Sequence, residues 1–140
     1  MRIFLDTNVL ASALGTRGLC SELLEAILGS HELLTSDAVL LELERTLTDK
    51  FRLPRSTIHG YGALLRTAGQ VTAPASTPIT SIKDSADAEI VACAIAAKAD
   101  VFVTGDKALL KLGSIRKLPV RSPRQLWRQF AGLEGTKELR

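Results

Sequence analysis

Four acids occupy places in the chain that solubility alone does not explain. Asp6 ends the apolar run Ile3-Phe4-Leu5, and Asp106 follows Val101-Phe102-Val103 after Thr104-Gly105. Asp87 heads a stretch rich in Ala, Ile and Val, and Glu42 lies in the segment from Ser36 to Asp49. A carboxylate that closes an apolar strand sits at the edge of the core, where it is costly unless paired or metal-bound. If the four converge, they repel one another unless protonated or neutralised by a cation. An all-oxygen set of this kind suits Mg²⁺ or Mn²⁺ far better than Zn²⁺, which prefers nitrogen and sulfur. Such an ion bridges phosphate oxygens, lowers the pKa of a bound water and stabilises the leaving oxygen of an in-line displacement at phosphorus. The chemistry indicated is phosphodiester hydrolysis.

Plainer roles compete with this one. Asp106 can be a helix N-cap and Asp87 a first-turn acid favoured by the helix dipole. At 100° per residue, Val39, Leu40, Leu43 and Leu47 form an apolar arc, with Glu42 on one border and Glu44 on the other. Spacing alone does not choose between these two acids, and both fit a solvated face. Other catalytic schemes are poorly supplied: there is no GxSxG elbow, no GxxxxGK[ST] phosphate loop and no GxGxxG fingerprint. His31 and His59 read as ordinary polar residues. Cys93 reads as inert packing in an alanine-rich helix, and Trp127 as a core anchor for the last helix.

The elements that must position the acids follow from periodicity and turn chemistry. Ile3–Leu5 reads as a strand, Val9–Leu14 as a helix, and residues 15–18 as a turn. A second helix over Ser21–Leu28, capped by Ser21, leads to a strand at Glu32–Thr35. Ser36 or Asp37 caps a helix reaching about Asp49, and Pro54 opens another that ends near Gly69, although Gly60 and Gly62 weaken it. Val71-Thr72 is a short strand candidate, and Ala73–Pro78 a loop. Asp87–Lys98 reads as a helix buried on nearly every side. After the strand Val101–Val103 come a helix over Lys107–Leu112, a strand around Pro119-Val120, and a helix over Arg124–Phe130 introduced by Ser122-Pro123. Strands that are apolar throughout, alternating with helices, specify an α/β fold with a mostly parallel sheet covered on both faces. Open sheets of that kind bind ligands outside the carboxyl ends of their strands, where Asp6 and Asp106 stand.

Length and composition bound the reading. A chain of 140 residues with 46% hydrophobic side chains is enough for one core. One domain is expected over residues 1–130, with a frayed tail over 131–140. No apolar run approaches the roughly 20 residues that span a bilayer, and Asp6 interrupts the N-terminal apolar run too early for a signal peptide. Two distant cysteines, Cys20 and Cys93, suit a reducing cytoplasm and exclude a disulfide scaffold. The net charge of +3 conceals an acidic first third and a basic last quarter, in which Arg116, Lys117, Arg121 and Arg124 are candidates for contacts with RNA phosphates. Only 4% of residues are aromatic, which argues against a base-stacking platform.

Taken in order, the segments resemble a known family. Met1-Arg2-Ile3-Phe4-Leu5-Asp6-Thr7-Asn8-Val9-Leu10, followed by Ser12-Ala13-Leu14, resembles the opening of PIN-domain ribonucleases, closest to the VapC-like toxin components of bacterial toxin–antitoxin systems. Ser36–Leu47 is similar to the family's second acidic segment, Lys83–Asp87 with Ile90–Ala94 to its third, and Val103–Leu110 to its fourth. The resemblance implies a PIN-like three-layer sandwich around a sheet of about five strands. It implies Asp6, Glu42, Asp87 and Asp106 as metal-binding catalytic acids, which selects Glu42 over Glu44, with Asn8 and Thr104 as supporting groups. The implied activity is a Mg²⁺- or Mn²⁺-dependent endoribonuclease. The implied partners are an RNA substrate and a cognate antitoxin protein, with a homodimer left open. One departure is visible: Ala86 stands where relatives often carry another acid, and Asp84 either compensates or only caps the helix. The alternatives are a phosphatase of the haloacid-dehalogenase type, which wants a second Asp where this chain has Asn8, and an inactive module that binds RNA or protein.

Overall fold

A computed structural model of the chain describes residues 1–75 and 79–132. The last residues of the expected loop, 76–78, and all but the start of the expected tail lie outside this range. Six strands form one sheet in the order β3-β2-β1-β4-β6-β5. They are β1 (Arg2–Leu5), β2 (Glu32–Ser36), β3 (Gln70–Thr72), β4 (Val101–Val103), β5 (Ser114–Ile115) and β6 (Leu118–Arg121). All pairings are parallel except β5 with β6. The helices are α1 (Thr7–Gly15), α2 (Leu19–Ser30), α3 (Asp37–Asp49), α4 (Arg55–Ala68), α5 (Ser85–Ala96), α6 (Lys107–Leu110) and α7 (Pro123–Phe130).

The chain moves outward from β1 to β3, then crosses back to place β4 on the other side of β1. Right-handed crossovers therefore put α1–α4 over one face and α5 and α6 over the other. The packing of α1 on α2 and α3, and of α3 on α4, fits the first of these layers. Ile3, Phe4, Leu5 and all of β4 are buried, as expected for strands covered on both faces. Phe4 and Phe102, partners in the β1–β4 register, stack with centroids 5.7 Å apart. Gly15 lets the ring of Phe51 lie directly on the end of α1, where a Cβ would collide with it.

Several boundaries differ from expectation for local reasons. α1 starts at Thr7 because Asp6 is its N-cap, with Oδ1 accepting from the Thr7 N–H at 2.8 Å. α2 starts at Leu19, with Gly18 as the cap. Ser21 is the third residue of that helix, and its Oγ accepts the Gly18 N–H at 3.2 Å. α4 runs unbroken through Gly60 and Gly62, because burial of Ile58 and Leu65 outweighs the roughly 1 kcal/mol that each glycine costs. α5 begins at Ser85, capped by Asp84, and its residues 90–94 are buried consecutively, as a helix apolar on most sides requires. α6 stops at Leu110, two residues early.

The sheet has one strand more than the five expected. β5 is only two residues long, and its connection to β6 is Arg116-Lys117, with φ of 49° and 72°. Two successive positive φ values are the geometry of a tight hairpin, which usually announces itself by Asn-Gly or Asp-Gly. Here the sequence carries no such signal. The final strand extends to Leu118–Arg121, and Ser122 caps α7 in a reciprocal pair with Gln125.

Candidate metal centre

The order of strands reverses between β1 and β4, which makes their carboxyl ends the switch point of the sheet. Asp6 leaves β1 there, its N–H still donating to the Val103 carbonyl at 2.8 Å. Its side chain is 4% exposed. Oδ2 accepts the Thr104 hydroxyl at 2.8 Å and, more weakly, the Asn8 amide at 3.4 Å. Thr104, itself fully buried, also accepts the Asp106 N–H at 3.0 Å, and Asn8 Oδ1 accepts the Gly105 N–H at 3.1 Å. Asn8 and Thr104 thus tie the start of α1 to the loop after β4 and fix the direction of the Asp6 carboxylate.

The other acids reach the same rim from separate elements. Asp106 caps α6, one oxygen accepting from the Ala108 and Leu109 N–H groups at 2.8 and 3.2 Å. The cap reading of Asp106 is therefore correct, and it engages only Oδ1. Asp84 caps α5 through Oδ1, accepting the Ala86 and Asp87 N–H groups at 2.9 and 3.0 Å. Asp87, in the first turn of α5, is partly buried.

Electrostatics record the convergence. Burial pushes the Asp6 carboxyl above its ordinary range, hydrogen bonds from Thr104 and Thr7 pull it back, and the charges of Glu42 and Asp106 push it up again. Asp87 is raised to about 6, first by burial, then by Asp84, Asp6, Asp106 and Glu42. Glu42, half-buried on α3, thus acts on both aspartates. Glu44 is exposed and lines a groove of about 560 Å³ between α3 and α4, together with Leu40, Leu41, Ile58 and Arg66. That larger groove holds none of the four acids.

Among the described residues the ion pairs formed are Arg2–Glu32 and Arg66–Asp37, and neither involves the four acids. No three Asp, Glu, His or Cys side chains among those residues form a ready-made cation cage. The donor set nevertheless fits a hard divalent ion. It is all oxygen, and burial together with the charges of the neighbouring acids raises the pKa of Asp6 and Asp87. An open arrangement is also what Mg²⁺ prefers, since it keeps several of its waters.

A family model described as PIN domain matches residues 2–108. The chain belongs to the PIN-domain family. The matched span contains Asp6, Glu42, Asp87 and Asp106 and ends before the basic residues. A solved structure described as VapBC2 from Rickettsia felis bound to a DNA fragment from their promoter superposes with a TM-score of 0.62 at 20% identity, covering 87% of this chain and 98% of that one. At that identity the likeness concerns the fold. No match was found among curated protein sequences.

Outside the matched span, this PIN domain divides the basic residues that the sequence presents as one stretch. β6 runs parallel to β4, so its start, with the Arg116-Lys117 turn, lies at the amino end of the sheet, about 13 Å of strand away from Arg121. Arg121 and Arg124 lie at the carboxyl end with the acids. The Arg121 guanidinium is engaged by the Gly113 and Val120 carbonyls at 3.0 and 2.9 Å, whereas Arg124 is exposed in the first turn of α7. The four therefore do not form one patch. A groove that sequence reasoning missed adjoins the acids: Asn8, Val9, Ser12, Cys20, Gly105, Asp106 and Pro123 enclose about 310 Å³. Its one sequence signal is Ser12, four residues after Asn8 and so on the same face of α1. No helix among the described residues is long and apolar enough to cross a membrane.

Proposed function

We propose that this PIN domain is a divalent-metal-dependent endoribonuclease, with Asp6, Glu42, Asp87 and Asp106 holding Mg²⁺ or Mn²⁺. The observation that carries the reading is the coupling of four carboxylates from four elements at the switch point, with no cation paired to them among the described residues. When bound, a divalent ion supplies the positive charge that draws phosphate oxygens in and makes water a stronger nucleophile. The chain's own residues supply the rest. Asp6 is held in one orientation by Thr104 and Asn8, so its oxygens are preorganised. Asp87, raised to about 6, is mostly ionised at neutral pH and open to a cation there, and its proton competes with the ion as pH falls through about 6.

A phosphatase using Asp6 as nucleophile fits less well. The carboxylate is recessed and already hydrogen-bonded, and Asn8, in the place of the second acid, gives its side chain to Asp6 and to Gly105. The similarity to a toxin–antitoxin complex, together with the family resemblance, supports an antitoxin protein as partner and a role in the cytoplasm, where the thiols Cys20 and Cys93 stay unpaired. Incubation of the purified chain with RNA and Mn²⁺, with EDTA as control and a phosphomonoester assay alongside, tests the activity. RNA cleavage abolished by EDTA is expected. Phosphomonoester turnover without RNA cleavage would favour the phosphatase. Expression of the chain alone should slow growth, and co-expression with a small protein encoded next to it should restore growth. Growth unaffected by the chain alone would argue against the toxin role.

A further inference from the structure

The turn between β5 and β6 is built from residues that do not suit it. Arg116 and Lys117 have φ of 49° and 72°, a left-handed conformation that residues with a Cβ rarely adopt twice in succession. Asn-Gly or Asp-Gly makes the same hairpin with less strain. Arg52 and Lys98 also have positive φ, but each stands alone shortly after the end of a helix, where a left-handed residue is ordinary. Strain of the kind held at the hairpin clusters at ligand clamps and switches.

The surroundings of the turn are uniform in charge. Between Asp106 and Glu134 the chain carries seven Lys/Arg and no Asp/Glu. Lys111, Arg116 and Lys117 are exposed within seven residues of one another, together with Leu112 at 40% exposure. β5 closes the sheet on that side, so the patch flanks an outer strand edge. Positive charge beside an edge also keeps other strands from pairing with it. That protection works equally well with a relaxed turn flanked by lysines, so it does not account for cations in the turn itself. The tip lies at the amino end of the sheet, opposite the four acids, and a chain held there is not led towards them. Cations beside an exposed leucine and an outer strand edge suit a protein segment that brings both carboxylates and an extended backbone.

We propose that the β5–β6 hairpin is a docking site for an acidic, extended segment of a partner protein, with Arg116 and Lys117 meeting its carboxylates and Lys111 and Leu112 continuing the contact along β5. The strained turn presents two cations at the tip, where an Asn-Gly turn presents none. The site is independent of the metal centre and of the ribonuclease reading.

The probe is a fluorescein-labelled decapeptide of alternating Glu and Thr, and its binding to the full chain is followed by anisotropy at low salt. Arg116→Asn combined with Lys117→Gly should weaken binding by roughly tenfold or more and raise the melting temperature by a few degrees, since it relaxes the turn while removing its charge. Arg116→Gln combined with Lys117→Gln removes the charge and keeps the strain, so it should weaken binding to the same extent without raising the melting temperature. Arg52→Gln combined with Arg55→Gln, an equal loss of charge at exposed residues between α3 and α4, should leave binding within about twofold. Equal weakening by that last pair means that the peptide responds only to net charge, and overturns the site. So does failure of the peptide to bind the unaltered chain, or full binding to the Asn-Gly form. A melting temperature lowered by Asn-Gly shows that the native turn is not strained and removes the basis of the proposal. If both hairpin pairs weaken binding of a single-stranded oligoribonucleotide but not of the peptide, the tip is a nucleic-acid surface and the acidic protein segment is overturned.

Discussion

At the amino end of the sheet, Arg2 pairs with Glu32 at 3.1 Å, donates to the Ala97 carbonyl at 2.8 Å, and offers its backbone N–H to Asp100 at 2.7 Å. At the carboxyl end of the same strand, Asp6 has only neutral donors: a backbone N–H, the Thr104 hydroxyl and the Asn8 amide. The acids around Asp6 raise its pKa and that of Asp87 instead of being offset. One strand of four residues thus separates a region where charges serve stability from one where negative charge is held without compensation. Because both ends belong to one sheet, charge changes at one end can be controlled by matched changes at the other. The amino end should respond as a protein surface does, and the carboxyl end as a cluster of like charges does.

The largest expected effect is at the carboxyl end. Asp6→Asn and Asp87→Asn keep shape and remove charge, and each should lower Mn²⁺-dependent RNA cleavage by more than about 100-fold, beyond the loss typical of groups that only support a metal ligand. Far-UV circular dichroism should remain that of the unaltered chain. Glu32→Gln, the same kind of change at the amino end, should leave cleavage within about twofold, since an exposed ion pair contributes only about 0–1 kcal/mol. Equal losses at both ends would erase the distinction between them.

Next is the support around Asp6. Thr104→Val preserves volume while removing the hydroxyl that donates to Asp6 and accepts from the Asp106 N–H. Apparent Mg²⁺ affinity, read from the rise in melting temperature with added ion, should fall about 10–100-fold. Stability without metal should also drop by about 1–3 kcal/mol, because the Asp106 N–H loses its partner in a partly buried place. Unchanged affinity would mean that Asp6 is not held by Thr104 for the sake of an ion.

Stability should depend on pH through the same acids. Asp87 is raised from 3.8 to about 6 in the folded chain, and Asp6 is raised as well, so between these limits the folded state binds more protons than the unfolded one. Stability present below the ordinary carboxylate value is therefore lost as pH rises through about 6. Melting temperature in EDTA should fall over that interval, and saturating Mg²⁺ should remove the fall by replacing the protons. A curve in EDTA that rises through pH 6 would reverse the sign and contradict the crowding of charge.

Much of this contrast was legible before the fold was known. The apolar strands, the caps at Ser36 and Ser122, the all-round burial of the helix after Asp84 and the position of Asp6 at a strand end follow from local rules, and the observed elements agree with them. The choice between Glu42 and Glu44 was not legible by periodicity, because both border the same apolar arc. The family resemblance selected Glu42, and the fold agrees by bringing Glu42 within electrostatic reach of Asp6 and leaving Glu44 in another groove. β5 was invisible because Arg116-Lys117 is an unusual pair for a tight hairpin. Missing that hairpin made Arg116, Lys117, Arg121 and Arg124 look like neighbours, when the strand between them carries the first two to the opposite end of the sheet.

The smallest expected effect uses that separation. If RNA lies across the carboxyl end, Arg124 can meet its phosphates and Lys117 cannot, although both are exposed cations in the same basic quarter of the chain. Each phosphate contact on a single strand contributes about 0.7 to the slope of log affinity against log salt. Arg124→Ala should therefore flatten that slope by about 0.7, while Lys117→Ala should leave it unchanged within error. Binding of a single-stranded oligoribonucleotide to the Asp6→Asn form, measured by fluorescence anisotropy at several salt concentrations, separates the two without interference from cleavage. Removing either cation weakens long-range attraction at low salt, so the slope, and not affinity at one salt concentration, is the discriminating quantity. Equal flattening by both substitutions would mean that RNA wraps from one end of the sheet to the other. Flattening by Lys117→Ala alone would place the bound strand at the amino end, away from the acids that are proposed to cut it.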